Sequence, residues 1–250
     1  MDDVTSYLLA HLSDLHLGRP DDDGYAGLAA ALAVLDRLDG LSAVVLTGDL
    51  ADAGDPAHYR RLAEAFAGLA ARDVEVVWAA GNHDDPAMIA ATLGEDGDGT
   101  PRDRVHRLGG LRIIALDSSE RGRGDGELSA AQLAWIEAEL AVAAPHGTIL
   151  AMHHPPLGTR IEGMRTGELV NPASLAAVIR GRDVRAILAG HYHYPLFGAV
   201  EGVPVVLSGA LSYTIDASRE RGPFAGLPGV RSLGLIDISS GRLTASIVPL

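Results

Sequence analysis

The chain has 250 residues, 47% hydrophobic and 21% charged, a balance that suits one large globular domain or two small ones with no covalent staple. It carries no cysteine, which excludes disulfides and thiolate metal ligands and leaves His, Asp, Glu and Asn to bind any metal. The formal net charge of -13 argues against a nucleic-acid duplex or an anionic membrane as partner, because neither would find a basic footprint.

The first residues include Asp2 and Asp3 where a secretory leader would be basic, and the apolar stretch 7–12 is too short for a signal core, so a cytoplasmic location is expected. The longest stretch without Asp, Glu, Lys or Arg, 140–159, is broken by Pro145, Pro155 and Pro156 and is not a membrane span.

Residues 7–13 read as the first strand, ending at Asp14-Leu15-His16. Two side chains one residue apart on an extended segment point the same way, so Asp14 and His16 can grip one ion; a turn aspartate capping a helix beside an incidental histidine explains the same letters. His11, inside the strand, reads as a core histidine. Residues 24–38 have helical spacing and lead into a second strand, 43–47, which stops at Gly48-Asp49-Leu50-Ala51-Asp52. A helix over 56–71 places Tyr59, Leu62, Phe66 and Leu69 in the core and His58 in solvent. The third strand, 74–80, arrives at Gly81-Asn82-His83-Asp84. A glycine turn there presents an amide oxygen, an imidazole able to lose or gain a proton and a carboxylate able to fix their neighbourhood. Strand and helix alternating at roughly 30-residue intervals is the period of βαβ units, so these strands should be parallel with their carboxyl ends side by side.

A short helix from Pro86 precedes the acidic loop 94–100, whose carboxylate spacing does not match a calcium loop and is assigned no metal. Residues 105–108 and 111–116 read as a hairpin. The Gly-rich loop 118–126 that follows carries Arg121 and Arg123, a pair able to reach a phosphate. Ser129 caps a helix to about residue 143, with Leu133, Ile136 and Leu140 on its buried face and Trp135 beside them. A strand over 148–152 stops at His153-His154-Pro155-Pro156. A helix over 172–180 leads to a strand, 184–189, ending at Gly190-His191-Tyr192-His193, whose alternating imidazoles can face one pocket. The remainder, 196–201, 203–207, 233–238 and 243–248, reads as antiparallel strands with tight turns. With no linker-like change of composition, a single domain over 1–250 is expected.

The strand ends collect Asp14, His16, Asp49, Asn82, His83, His153 or His154, His191 and His193. One such block is an ordinary polar turn. Five blocks in register with buried strands are the kind of oxygen and nitrogen set that a pair of first-row metals about 3.5 to 4 Å apart requires.

The order Asp-x-His, Gly-Asp, Gly-Asn-His-Asp, His-x-Pro and Gly-His-x-His resembles the calcineurin-like metallophosphoesterase superfamily over nearly the whole chain. His-Leu-Ser-Asp-Leu-His at 11–16, Met-His-His-Pro-Pro at 152–156 and Ala-Gly-His-Tyr-His at 189–193 are most similar to its bacterial class III cyclic-nucleotide phosphodiesterases. The resemblance implies an α/β fold, a four-layer αββα sandwich of two mixed sheets flanked by helices. It implies one metal on Asp14, His16, Asp49 and His193 and a second on Asp49, Asn82, His153 and His191, the first histidine of the His-x-Pro block being the family's ligand. Mn, Fe or Zn suit such a set. A metal-bridging hydroxide would then attack phosphorus while His83, oriented by Asp52, protonates the leaving alkoxide. Asn82, His83, Arg121, Arg123 and Tyr213 are the candidate substrate contacts. The expected substrate is a small phosphodiester, a 3',5'-cyclic nucleotide first and a glycerophosphodiester or other small ester as the alternative; a non-catalytic metal-binding protein is the reading from a different class. Relatives often form dimers, which is the basis for expecting a homodimer.

Overall fold

The central strands are apolar on both faces, and that pattern is what stacks one sheet on another. The computed structural model describes residues 6–20, 24–93, 103–120, 122–161, 164–165, 167–218 and 226–250. Its first sheet contains β1 (Tyr7–Leu12), β2 (Leu41–Thr47), β3 (Glu75–Ala79), β12 (Ser232–Ser239) and β13 (Arg242–Pro249), in the order β13-β12-β1-β2-β3. The second contains β4 (Arg104–Leu108), β5 (Leu111–Leu116), β6 (Thr148–Met152), β7 (Val184–Ala189), β8 (Pro195–Val200) and β9 (Val203–Ser208), in the order β4-β5-β6-β7-β9-β8. β1, β2 and β3 run parallel, as do β5, β6, β7 and β9, while β12, β13, β4 and β8 add antiparallel pairings.

Alternate residues sort into three apolar layers. Leu9, Ala43, Val45, Ile113, Ile149, Ala151, Ala186 and Leu188 fill the space between the sheets. Their neighbours Ala10, Val44 and Leu46 pack outward against α1 (Gly24–Leu35), α2 (Pro56–Phe66) and α3 (Pro86–Leu93). On the other side Leu150, Met152, Ile187 and Ala189 pack against α4 (Ala130–Glu139) and α5 (Pro172–Ile179). The result is the four-layer αββα sandwich. Local signals agree with it: Asp55 caps α2 ahead of Pro56, and Ser129 and Gln132 form a reciprocal capping box on α4.

Four expectations change. The second helix is α-helical only to Phe66; it tightens into a 3-10 segment over Ala67–Arg72, closed where the Val74 N–H bonds to the Leu69 carbonyl. His58 is half-buried rather than solvated, because its Nδ1 meets the Tyr25 hydroxyl at 2.5 Å. β9 pairs antiparallel with β8 but parallel with β7, since the hairpin sends β8 to the sheet edge and brings β9 back into the gap. A small ribbon, β10 (Tyr213–Ile215) with β11 (Gly226–Pro228), has strands too short to show periodicity. The acidic loop 94–100 lies outside the described residues. No helix among the described residues is long and apolar enough to cross a membrane.

At the edge where β5 and β6 begin, Arg112 is 3% exposed and gives both oxygens of Asp183 a hydrogen bond at 3.1 Å. It also bonds Thr148 Oγ1 at 2.8 Å and the carbonyls of Glu139 and Val142. Arg112→Ala would leave the Asp183 carboxylate without its cation in a largely dry setting, so a loss of about 3 to 5 kcal/mol is expected in denaturant unfolding. A loss within the range of a surface substitution would mean that water reaches this pair.

Candidate metal centre

Side chains from the carboxyl ends of β1, β2 and β3 meet side chains from the ends of β6 and β7, so both sheets open on one cluster. The loops reach it through unusual backbone. Asp14 (φ 54), His16 (φ 46), Asp49 (φ 50), His191 (φ 72) and His193 (φ 59) are all in the left-handed region, which costs a non-glycine residue roughly 1 to 2 kcal/mol. Simple strand alternation therefore does not aim Asp14 and His16; two kinks do. Those kinks are held by the Asp14 N–H on the Gly48 carbonyl (3.1 Å), the His16 N–H on the Asp49 carbonyl (2.9 Å) and the Ser212 N–H on the Asp14 carbonyl (3.1 Å). Glycine is required beside them: a Cβ at Gly81 would fall 2.2 Å from Asp49 Oδ1, and one at Gly190 would fall 1.9 Å from Ser13 Oγ.

Two adjacent groups result. In the first, His193 Nε2 is 3.3 Å from Asp14 Oδ1 and 3.2 Å from His16 Nε2, while His16 Nε2 is 3.4 Å from Asp49 Oδ2. In the second, His153 Nε2 is 3.3 Å from the same Asp49 oxygen and 3.1 Å from His191 Nδ1. The alternating imidazoles of 191 and 193 thus part, one to each group. The outward nitrogens are already used. His153 Nδ1 donates to the Thr47 carbonyl at 2.7 Å, His193 Nδ1 to the Tyr213 carbonyl at 2.9 Å, and His16 Nδ1 faces Asp52 Oδ1 at 3.1 Å. Fixing the outer nitrogen in this way aims each inner nitrogen at the place a cation would occupy, to bind it once deprotonated. Asn82 Oδ1 is buried without a hydrogen-bond partner. Convergent nitrogens, a shared carboxylate and an orphaned amide oxygen together fit divalent first-row metals.

The electrostatics are those of a site short of positive charge. Burial penalises both carboxylates; His153 and His16 nevertheless hold Asp49 well below the usual range, whereas burial leaves Asp14 raised. Burial also pushes the His153 imidazole down, but Asp49 and Asp14 overcome it and lift it to about 9. Burial and the neighbouring His153 drop His191 to about 3. Asp84 performs the fixing role read from its motif: it accepts the N–H groups of Leu50, Ala51 and Gly81 and the Tyr59 hydroxyl, tying the second and third loops together. Burial, with Asp49 nearby, raises it to about 6.

His83 is 43% exposed at the rim; its Nδ1 lies 2.9 Å from Asp52 Oδ1 and its N–H bonds to Asp49 Oδ1. His154 is buried beside His153 and His191, close enough to offer a nitrogen to the same ion, with its Nδ1 3.0 Å from Ser118 Oγ and its Nε2 without a hydrogen-bond partner. Arg123 pairs with Asp125 and Glu127 at 2.7 and 3.1 Å, and Arg121 lies outside the described residues. The Tyr213 ring sits 4.3 Å from the His193 ring. His11 is a core histidine bonded to Thr47 Oγ1, and burial lowers it to about 3. Sequence reasoning missed the carbonyls of Thr47 and Tyr213, the Ser212 contact and Arg19, whose guanidinium lies over Tyr213. Backbone acceptors carry no letter in a sequence, so only a predicted neighbour on another strand would have marked them.

Residues 7–195 match the family model described as calcineurin-like phosphoesterase. The chain is 41% identical over 253 aligned positions to a cAMP/cGMP dual specificity phosphodiesterase of Mycobacterium tuberculosis, covering 98% of this chain and 80% of that protein. It is likewise 41% identical, over 98% of this chain and 84% of the other, to a probable cyclic nucleotide phosphodiesterase of Rhodococcus erythropolis. The fold is similar to that of a purple acid phosphatase from yellow lupin seeds, with a TM-score of 0.65 at 13% identity over 98% of this chain and 52% of that one.

A metal ligand must be deprotonated, yet His153 with a value of about 9 carries a proton at neutral pH in the metal-free protein. Manganese affinity is therefore expected to rise with pH toward about 9 and to flatten beyond it, with proton release that calorimetry in buffers of different ionisation enthalpy measures. The sign for folding is opposite. The raised value adds stability to the metal-free chain that is full below about 6.5 and fades as pH approaches the folded-state value. A pH-independent affinity would take the proton off His153.

Proposed function

The chain belongs to the calcineurin-like phosphoesterase family, and on that premise we propose that it hydrolyses 3',5'-cyclic nucleotides at a pair of metal ions. One observation carries the two-metal reading: a single buried oxygen, Asp49 Oδ2, lies 3.4 Å from His16 Nε2 and 3.3 Å from His153 Nε2, between two ligand groups. Asp14, His16, Asp49 and His193 would hold one ion, and Asp49, Asn82, His153 and His191 the other. When bound, such ions neutralise phosphate oxygens and lower the pKa of a water so that it attacks phosphorus near neutral pH.

The protein's own residues divide the remaining work. His83 stands at the open side of the cluster, where a leaving oxygen would depart. With Asp52 accepting at Nδ1, the Nε2 proton of His83 is the one presented to that oxygen. Asp52 also faces His16 Nδ1, so one carboxylate sets the orientation of a ligand and of the acid together. The fixed N–H groups and imidazoles need no rearrangement as charge develops on phosphorus, which is how a preorganised site lowers a barrier. A cyclic nucleotide as substrate is supported by the two bacterial relatives, each named for that activity and matched over almost the whole chain.

The direct test compares cyclic AMP, cyclic GMP and a glycerophosphodiester as substrates of the manganese-loaded protein. Preference for the glycerol ester would overturn the cyclic-nucleotide reading, and inactivity on all three would overturn hydrolysis of diesters. His83→Ala is expected to keep its metal content but to lose about 10² to 10⁴ in kcat on a cyclic nucleotide, and much less on a nitrophenyl ester whose leaving group needs no proton. Equal losses on both esters would remove His83 as the acid. Asp49→Ala should lose both metals in elemental analysis; retention of one at full occupancy would show that the carboxylate is not shared.

A further inference from the structure

We propose that Arg19 binds the phosphate of the substrate, supplying the cationic contact that Arg121 and Arg123 suggest from sequence; the assignment rests on the hydrolase reading above. Arg19 follows the candidate ligand His16 by one turn, closed by its N–H on the His16 carbonyl at 3.2 Å. Its guanidinium lies over the Tyr213 ring with Cζ 4.5 Å from the centroid, and Nη1 donates to the Tyr213 hydroxyl at 2.7 Å. Tyr213 in turn holds His193 through its carbonyl, and its ring lies 4.3 Å from the His193 ring and 5.8 Å from the His16 ring. Both supports of the guanidinium are thus tied to ligands of the first metal group.

Among the described residues, no carboxylate is within ion-pair distance of the Arg19 charge, whereas Arg123 is neutralised by Asp125 and Glu127 within its own loop. One Nη1 hydrogen is used on Tyr213, and the residue is half-exposed, so the remaining donors of the planar fork are accessible to a ligand. A planar cation anchored on an aromatic face keeps its donors in a fixed direction, the property that suits two adjacent oxygens of a phosphate. Arg19 also stands close enough to Asp52 to add, after His16 and His83, to the forces that keep that carboxylate ionised. In a protein of net charge -13, a cation held on Tyr213 beside the first ligand group gives an anionic ester a local attraction that the surface as a whole lacks.

The test uses Arg19→Gln, Arg19→Lys and Tyr213→Phe, the last keeping the ring and the carbonyl that holds His193. With the manganese-loaded protein, Arg19→Gln is expected to raise KM for cyclic AMP by at least about tenfold with a smaller change in kcat, and to weaken inorganic phosphate by a similar factor in calorimetry. Arg19→Lys should recover part of both losses, and Tyr213→Phe should fall between it and wild type, all with wild-type manganese content. An Arg19→Gln protein with unchanged KM and phosphate affinity overturns the proposal. So does one that has lost its manganese, which would make Arg19 part of the metal cradle. Should the wild type hydrolyse no cyclic nucleotide, the functional reading fails alone: a tenfold loss of phosphate affinity still sustains the role of Arg19, and no loss still overturns it.

Discussion

Asp14 and Asp49 are buried to 0% and 2% exposure and face one another across imidazoles, at the point where five chain segments end. Two carboxylates withdrawn from water are costly unless opposite charge and hydrogen bonds compensate. Around them the protein places His16, His153, His191 and His193, the His83 and His191 N–H groups, and an amide oxygen from Asn82. The imidazoles compensate only in part, because burial keeps His191 and His193 neutral while His153 and His16 gain affinity for protons. A cation is the group that satisfies every inward-facing atom together.

Holding such a cluster is a demand on the backbone. Five of its residues occupy left-handed conformations, and each is paired with hydrogen bonds from a neighbouring loop rather than from its own. The rigidity behind those loops comes from strands packed on both faces, which leave the strand ends no freedom to slide. Asp84 shows the same economy at the level of one side chain, because its carboxylate gathers donors from the second and third loops and from α2. Few of these contacts are local in sequence.

The two faces of the cluster differ in a way that bears on chemistry. His153 and His154 lie fully buried on the side of the second sheet, whereas His83 and Asp52 stand at the rim. On the reading proposed above, the acid that serves a departing oxygen stands on the exposed side. A group that must stay fixed in orientation needs the opposite.

The order of strands and helices, the polar block closing each strand and the absence of thiol ligands were all determined by the sequence alone, since strand burial on two faces and glycine-bounded turns leave a local trace. Single letters also sufficed to place His11 in the core and Asp84 as an anchor. The tertiary structure alone decided that 191 and 193 serve different groups, that Arg123 is occupied within its own loop while Arg19 lies on Tyr213, that His58 is half-buried, and that β9 sits between β7 and β8. Each of these turns on contacts between distant segments, or on left-handed kinks that non-glycine residues do not advertise, and such contacts have no periodicity to read along one chain.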